Sequence, residues 1–239
     1  MRNRERFALL LPVRCILFLL IFVAGATIVG KKVGDISNWW SVIASIVNIL
    51  LVAALVLLAR RSGGSYRELI RYEKGRTTKK QIVKMVILVL VGGMSGMFLA
   101  GFICYGVIPY GAPMIIAPIN PALAIINALI LPVSTALAED ALYLGCGVNG
   151  IRNKYAAVIV PAFFFALQHC FIPTIFDVKY IIYRFLSFLP LTIVLCMDYQ
   201  KKRDPVPIMV GHALIDVATA MQIIATSLIP GFYEKMCSL

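Results

Sequence analysis

The sequence predicts an all-α fold, a polytopic transmembrane helical bundle of about seven spanning helices, in which residues 1–239 form a single integral membrane domain. Hydrophobic residues make up 61% of the chain and charged residues only 14%, whereas a soluble domain contains about 25% charged residues. The mean hydropathy is +0.90. The apolar residues form continuous runs and lack the alternation that half-buried strands show. This composition excludes a soluble globule, a disordered tail and a secreted disulfide scaffold.

Seven apolar stretches come close to the roughly 20 residues with which a helix crosses a bilayer. They are Phe7–Val29, Trp39–Ala59, Met85–Tyr105, Ala122–Cys146, Tyr155–Ile172, Tyr180–Met197 and Val206–Ile229. Arg14 in the first stretch and Arg184 in the sixth are expected to extend their side chains to the membrane surface. Gly92 and Gly96 predict that the third helix packs closely against a neighbour. The uncharged, proline-rich stretch 107–121 is predicted to be an outer loop.

The basic residues predict the orientation of the chain. The formal net charge is +12, and the loop 60–84 alone carries nine basic residues. The N-terminus and the loops after the fourth and sixth stretches are also basic, whereas the loops on the opposite side carry few Lys or Arg residues. The positive-inside rule therefore places the N-terminus in the cytoplasm and the C-terminus outside. The loop 60–84 is suited to anionic lipid, and no nucleic-acid partner is needed to explain the charge.

The N-terminus has a second interpretation. Arg2 to Arg14 would be the charged region of a signal peptide, Ile16–Val23 its apolar region and Ala24–Ala26 its cleavage site. An uncleaved span is favoured because Arg14 is close enough to the cytoplasmic end to reach the interface.

Five ionisable residues lie inside the predicted spans of the second half of the chain. They are Glu139, Asp140, His169, His212 and Asp216. An ionisable group costs roughly 2.5–3.5 kcal/mol at mid-depth on insertion scales, so each of them needs a reason to be there. His212 and Asp216 share one helix face because they are four residues apart. A convergent set of this kind can bind a metal, activate a water molecule or relay protons.

These residues fall into three short motifs. The motifs are Glu139-Asp140-Ala-Leu-Tyr-Leu144-Gly145, Phe165-Ala-Leu-Gln-His169 and His212-Ala-Leu-Ile-Asp216. In order and approximate spacing they resemble the E-E-x-x-x-R-G, F-x-x-x-H and H-x-x-x-N/D motifs of the CAAX-protease and bacteriocin-processing (CPBP, or Abi) family of intramembrane proteases. The similar region covers residues 122–225 and places a CAAX-protease-like core in the last four spans. Asp140 and Leu144 depart from the family pattern, which has glutamate and arginine at these positions.

The resemblance implies a role for each site residue. Glu139 would be the base that activates water, and His169 would orient that water or bind a metal. His212 and Asp216 would complete the site and stabilise the oxyanion, while Asp140 and Phe165 would support them. A divalent metal such as zinc, held by His169, His212 and Glu139, is one option, and a metal-free reaction is the other. The substrate would be a peptide or a membrane-associated protein, and the location a bacterial cell membrane.

The leading interpretation is an intramembrane endopeptidase, which is a hydrolase of either the metalloprotease or the metal-free type. Two other functions compete with it. Leu144 removes a positive charge one turn from the carboxylates, which favours a non-proteolytic scaffold, immunity or regulatory protein that binds another membrane protein. A transporter is disfavoured because the ionisable residues cluster in three spans and line no route across the bilayer. His169 lies deeper in the membrane than Glu139 and His212 on these boundaries. A common site therefore requires that the fourth and fifth spans extend into the cytoplasm or are tilted, and the turn at Asn149-Gly150 favours an extended fourth span.

Overall fold

The structure, a computed structural model, describes residues 4–106, 116–173 and 175–237. Its α-helices are α1 (Arg4–Phe7), α2 (Val13–Val29), α3 (Trp40–Arg61), α4 (Tyr66–Leu69), α5 (Lys79–Tyr105), α6 (Pro121–Asp140), α7 (Ala156–His169), α8 (Val178–Lys202), α9 (Val206–Leu228) and α10 (Phe232–Cys237). Two 3₁₀ segments, Ala8–Leu10 and Val33–Trp39, and a π-helical segment, Ala141–Val148, join them. Within the described ranges there is no strand, so the all-α prediction is confirmed. Most of the predicted outer loop, residues 107–115, lies outside those ranges.

Six helical stretches of the described chain are long and apolar enough to cross a membrane. They are Glu5–Val29, Val33–Arg61, Lys79–Tyr105, Pro121–Val148, Val178–Lys202 and Val206–Leu228. The fifth predicted span is shorter than expected, because α7 has only 14 residues and rises about 21 Å against a hydrocarbon core of about 30 Å. The helix ends at His169 although the apolar run continues to Ile172, and Pro173 follows, as is common after a helix end.

The outward-facing side chains are strongly apolar. Ile28, Leu9 and Leu129 are 84%, 76% and 75% exposed. A bilayer satisfies such a surface, whereas a soluble monomer rarely exposes a large continuous apolar area. Together with the six long apolar helices, this surface identifies an integral membrane protein.

The fourth span has the extension that a common site requires. Asn120 caps the start of α6 with its side chain, and Pro121 occupies the first turn, where a missing N–H is tolerated. The helix continues beyond Asp140 as the π-helical segment Ala141–Val148 and ends before Asn149. A π-helical turn inside a helix is often found at a functional site, and here it follows the two acidic residues directly.

Helix α6 packs against both α3 and α9. Helices α5 and α8 pack against each other, and α7 packs against α8. A Cβ atom at Gly96 of α5 would lie 2.5 Å from the Ser187 carbonyl oxygen of α8. The close packing predicted from Gly92 and Gly96 is therefore present, between α5 and α8.

Candidate active site

Four of the predicted site residues line one cavity inside the bundle. The cavity has a volume of about 590 Å³, and its walls include Glu139 from α6, His169 from α7, and His212 and Asp216 from α9. Phe165 also lines it, whereas Asp140 lies behind it and reaches it through His212. The structure thus brings together every residue that the three motifs predicted, although the chemical role of each remains a prediction.

Glu139 is buried, at 1% exposure, and both of its carboxylate oxygens have partners. Oε1 lies 2.8 Å from Nη2 of Arg14 in an ion pair. Oε2 accepts a hydrogen bond from the side-chain amide of Gln168, the residue before His169. This second contact sets the C-terminal end of α7 at the depth of Glu139, so the expected difference in depth between Glu139 and His169 does not prevent a common site.

The expectation that Arg14 extends to the membrane surface is wrong. Its side chain is buried and makes three polar contacts: with Glu139 through Nη2, with Gln168 Oε1 at 2.7 Å through Nη1, and with Asn48 Oδ1 at 3.0 Å through Nε. Arg14 lies nine residues after Glu5, where the first span begins, which corresponds to about 13 Å of helix. Three acceptors at this depth replace the water that the guanidinium would otherwise have to reach.

Four further residues of this polar cluster were not predicted from the sequence: Gln168, Tyr143, Asn48 and Thr135. The Gln168 amide oxygen accepts from Tyr143 Oη at 2.8 Å as well as from Arg14. The Asn48 amide donates to Thr135 Oγ1 at 3.0 Å. Gln168 and Asn48 are polar residues inside apolar runs, and that was the available signal. Their partners lie on other helices, so the runs themselves could not reveal what they bind.

His212 lies between two carboxylates. Its Nδ1 donates to Asp140 Oδ1 at 3.1 Å, and its Nε2 lies 3.8 Å from Asp216 Oδ2. The second separation is too long for a hydrogen bond. Among the described residues, Oδ2 of Asp140 and Oδ2 of Asp216 are buried without a hydrogen-bond partner, so this part of the site retains unused acceptors.

His169 is fixed by its own helix and by two aromatic rings. Its Nδ1 lies 2.8 Å from the Phe165 carbonyl oxygen. Because a carbonyl only accepts, Nδ1 carries the proton in the neutral ring and Nε2 is left as an acceptor. The imidazole stacks on Phe188 with a centroid distance of 3.8 Å and on Phe165 at 5.0 Å. These contacts leave the ring one orientation beside the cavity.

Arg184 also stays within the bundle. Its Nε donates to the His169 carbonyl at 3.2 Å and its Nη2 to the Ile172 carbonyl at 2.9 Å. The two bonds satisfy carbonyls at the C-terminal end of α7, where no further helical turn follows. The expectation that Arg184 simply extends to the membrane surface is therefore wrong as well.

Leu144 does not face Glu139. It is buried in an apolar cluster with Met85 and Val89 of α5 and Leu195 of α8. Leucine suits this position because the cluster provides apolar contacts. The missing arginine has therefore left no empty polar space, and the positive charge beside Glu139 comes from Arg14.

The contacts do not favour the metal site that the resemblance allows. Among the described residues, no three His, Cys, Asp or Glu side chains are grouped so that they could hold a metal ion. Glu139 is engaged by Arg14 and Gln168, and His212 uses Nδ1 for Asp140. The donor set as placed does not fit a zinc ion. The zinc option stays a prediction.

The cavity extends toward the end of the bundle opposite the basic loops. Its lining includes Ser37 and Asn38 before α3, Pro173 after α7, and Tyr233 after α9. Among the described residues that line it, none comes from the loop 60–84 or from the connections 149–155 and 201–205. The polar residues thus lie at the inner end of a cavity whose other end is on the side predicted to be outer.

A buried carboxylate, two histidines and a cavity with apolar walls, all within a bundle of long apolar helices, define a candidate hydrolytic site inside a membrane. Residues 121–218 match the family model described as type II CAAX prenyl endopeptidase Rce1-like. The match covers the segment that carries the three motifs and confirms the resemblance to the CAAX-protease and bacteriocin-processing family, and at the family level it supports an intramembrane protease. No curated protein and no solved structure matches the chain.

Proposed function

We propose that this protein is an intramembrane endopeptidase that hydrolyses a peptide bond with water activated by Glu139. The observation that carries this proposal is the convergence of Glu139, His169, His212 and Asp216 on one cavity. A carboxylate held in one orientation beside a cavity can accept a proton from a bound water molecule. The two oxygens of Glu139 each have a second lone pair for that water, since a carboxylate accepts about four hydrogen bonds.

In the proposed reaction, Glu139 takes a proton from water while the water oxygen bonds to the scissile carbonyl carbon. His169 orients the water through Nε2, the acceptor that its bond to the Phe165 carbonyl leaves free. His212 acts as an imidazolium in this step, because only that form carries a proton on both ring nitrogens. Its Nε2 donates a hydrogen bond to the oxyanion while its Nδ1 donates to Asp140. When the C–N bond breaks, Glu139 returns its proton to the leaving amine, which gives one carboxylate and one amine product.

The cavity walls indicate the class of substrate. Met94, Met97, Leu191 and Ile215 contribute apolar surface beside the polar site, and apolar walls with a few convergent polar groups are typical of binding pockets. We propose a hydrophobic or lipid-modified peptide, or a segment of a membrane-associated protein. It enters from the end opposite the basic loops, because the described cavity extends that way.

Peptide hydrolysis in nanodiscs tests the proposal. The purified chain is mixed with two internally quenched peptides, one farnesylated with a free C-terminal carboxylate and one apolar and unmodified, in ¹⁸O-labelled water. We expect the wild type to release fragments that carry the label in the new carboxylate, and Glu139→Gln to release none above background. Glu73→Gln, which alters an exposed carboxylate, is the matched control and should cleave like the wild type. Cleavage by Glu139→Gln at the wild-type rate overturns the mechanism.

A non-proteolytic membrane scaffold is the second candidate, and Leu144 in place of the family arginine is the observation that favours it. A scaffold cleaves neither peptide. Its binding to a partner membrane protein survives Glu139→Gln and His169→Ala, as long as both variants remain folded.

A further inference from the structure

We propose that Arg14 is the positioning residue of Glu139 and takes the place of the arginine that the first motif lacks at Leu144. The catalytic core in residues 121–218 is then completed by the first membrane helix, which lies outside that segment. This deepens the proposed function, since it assigns the residue that holds the proposed base. The contact itself can be tested whether or not the protein cleaves peptides.

The first argument is the geometry of the guanidinium. Each of three Arg14 nitrogens contacts a different helix: Nη2 contacts Glu139 of α6, Nη1 contacts Gln168 of α7, and Nε contacts Asn48 of α3. Arginine presents its donors in a rigid planar fork, so three contacts leave the group little freedom. Arg14, Asn48 and Gln168 are each at most 1% exposed, so water does not compete for these bonds.

The second argument is that Arg14 acts on Glu139 twice. It pairs directly with Oε1 of Glu139, and it also donates to the amide oxygen of Gln168, as Tyr143 does. Because the Gln168 oxygen is occupied by two donors, its amide nitrogen turns to Oε2 of Glu139 and donates to it. Arg14 therefore fixes both carboxylate oxygens, one by contact and the other through Gln168.

The third argument is that no other described cation serves Glu139. Position 144 holds leucine within an apolar cluster. Arg184 lines the same cavity but directs its guanidinium to the carbonyls of His169 and Ile172. A buried carboxylate without a partner is strongly destabilising, so Arg14 supplies the compensation that the motif no longer provides. Cleavage after Ala26, the alternative interpretation of the N-terminus, would remove Arg14 from this site.

The first arm of the test is a double-mutant cycle on stability. Arg14→Met, Glu139→Gln and the double variant are melted in detergent, and we expect Arg14→Met to lower the melting temperature by roughly 6–15 °C. The melting temperature of the double variant should recover at least half of the summed loss, because this variant removes both partners.

Arg152→Met and Glu5→Gln form the matched control, since this ion pair is exposed. The shifts in melting temperature of these control variants should be below about 2 °C and additive. Shifts of the Arg14 and Glu139 variants that simply add overturn the proposal.

The second arm uses Arg14→Lys, which keeps a positive charge beside Glu139 and is therefore expected to fold even if Arg14→Met does not. A lysine cannot make three contacts in one plane, so we expect kcat for the quenched peptides to fall about 10²-fold with little change in KM. The Arg14→Lys/Glu139→Gln double variant should be no slower than Glu139→Gln alone, since residues that act together are not additive. An unchanged kcat for Arg14→Lys overturns the positioning role. If the wild type cleaves no peptide, the proposed function fails while the stability cycle still decides the Arg14 contact.

Discussion

The two carboxylates of the first motif are adjacent in sequence and differ in what surrounds them. Both oxygens of Glu139 are engaged, one by Arg14 and the other by Gln168. Asp140 has one contact, with His212, and its second oxygen has no hydrogen-bond partner in the described part of the chain. Asp216, on the far side of His212, has an unpartnered oxygen too. The half of the site around Glu139 is therefore held by several contacts, and the half around His212 keeps unused acceptors, of which only the one on Asp216 belongs to a described residue that lines the cavity.

The difference in contacts suggests that the two halves of the site have different mechanical requirements. A general base must hold its geometry, because small displacements reduce the rate steeply. Under the proposed function, the half around His212 would accommodate the substrate, and Asp216, which lines the cavity, would accept from a peptide N–H group that has left water. The fixed half contains the ion pair with Arg14, and the half with spare acceptors lies on α9 and at the end of α6.

The largest expected effect comes from deleting the fixed carboxylate. Glu139→Ala leaves Arg14 buried with no anion beside it, and we expect a loss of about 3–5 kcal/mol in unfolding free energy. Asp140→Ala removes only the hydrogen bond from His212, so its loss in unfolding free energy should be clearly smaller. Chemical unfolding in detergent measures both. Equal losses for the two variants would break the comparison.

The next effect is on the acceptor-rich half. His212→Ala removes the only described donor to Asp140, and we expect a loss of about 1–3 kcal/mol for the unsatisfied carboxylate. Unfolding in the same detergent measures it. His212→Ala combined with Asp140→Ala should recover part of that loss, and failure to recover any would show that His212 acts through other contacts.

Restoring the motif arginine sharpens the comparison. Leu144→Arg places a larger, charged side chain in an apolar cluster, so we expect a loss of about 1–3 kcal/mol in stability. It should not raise the rate of peptide cleavage, because Arg14 already serves Glu139. Leu144→Met is the control for size without charge. A faster Leu144→Arg enzyme would mean that Glu139 lacks the compensation that we assign to Arg14.

The smallest expected effect belongs to Asp216. Since its Oδ2 has no hydrogen-bond partner among the described residues and lies 3.8 Å from His212 Nε2, Asp216→Asn should change stability by about 1 kcal/mol or less. Peptide cleavage should still decline, because we assign this acceptor to the substrate. A stability loss as large as that of Glu139→Ala would show that Asp216 is held as firmly as Glu139.

Much of the fold could be predicted because apolar runs and short motifs are visible in short stretches of sequence. Long apolar runs predicted seven spans, six of which are long apolar helices in the described chain, and the three motifs predicted the site residues Glu139, His169, His212 and Asp216, which line the cavity. The end of α7 was not predictable, because the run 155–172 stays apolar beyond His169. The π-helical turn after Asp140 had no recognisable pattern either.

The environment of Glu139 was the main feature that the sequence could not provide. Arg14 and Glu139 are far apart in the chain, and an arginine near the start of an apolar run is usually satisfied by the membrane surface. Only the packing of α2 against α3, α6 and α7 brings its three acceptors together. Gln168 and Asn48 were visible as polar residues in apolar runs, but pairing across helices is a property of the fold.

The central claim is that Glu139 is the reacting carboxylate and Asp140 a supporting one. The most direct test compares kcat for Glu139→Gln and Asp140→Asn in the same nanodisc assay, after each variant's melting temperature has shown that it is folded. We predict no detectable turnover for Glu139→Gln and a reduced but measurable kcat for Asp140→Asn. Turnover by Glu139→Gln at or above the rate of Asp140→Asn would contradict the account.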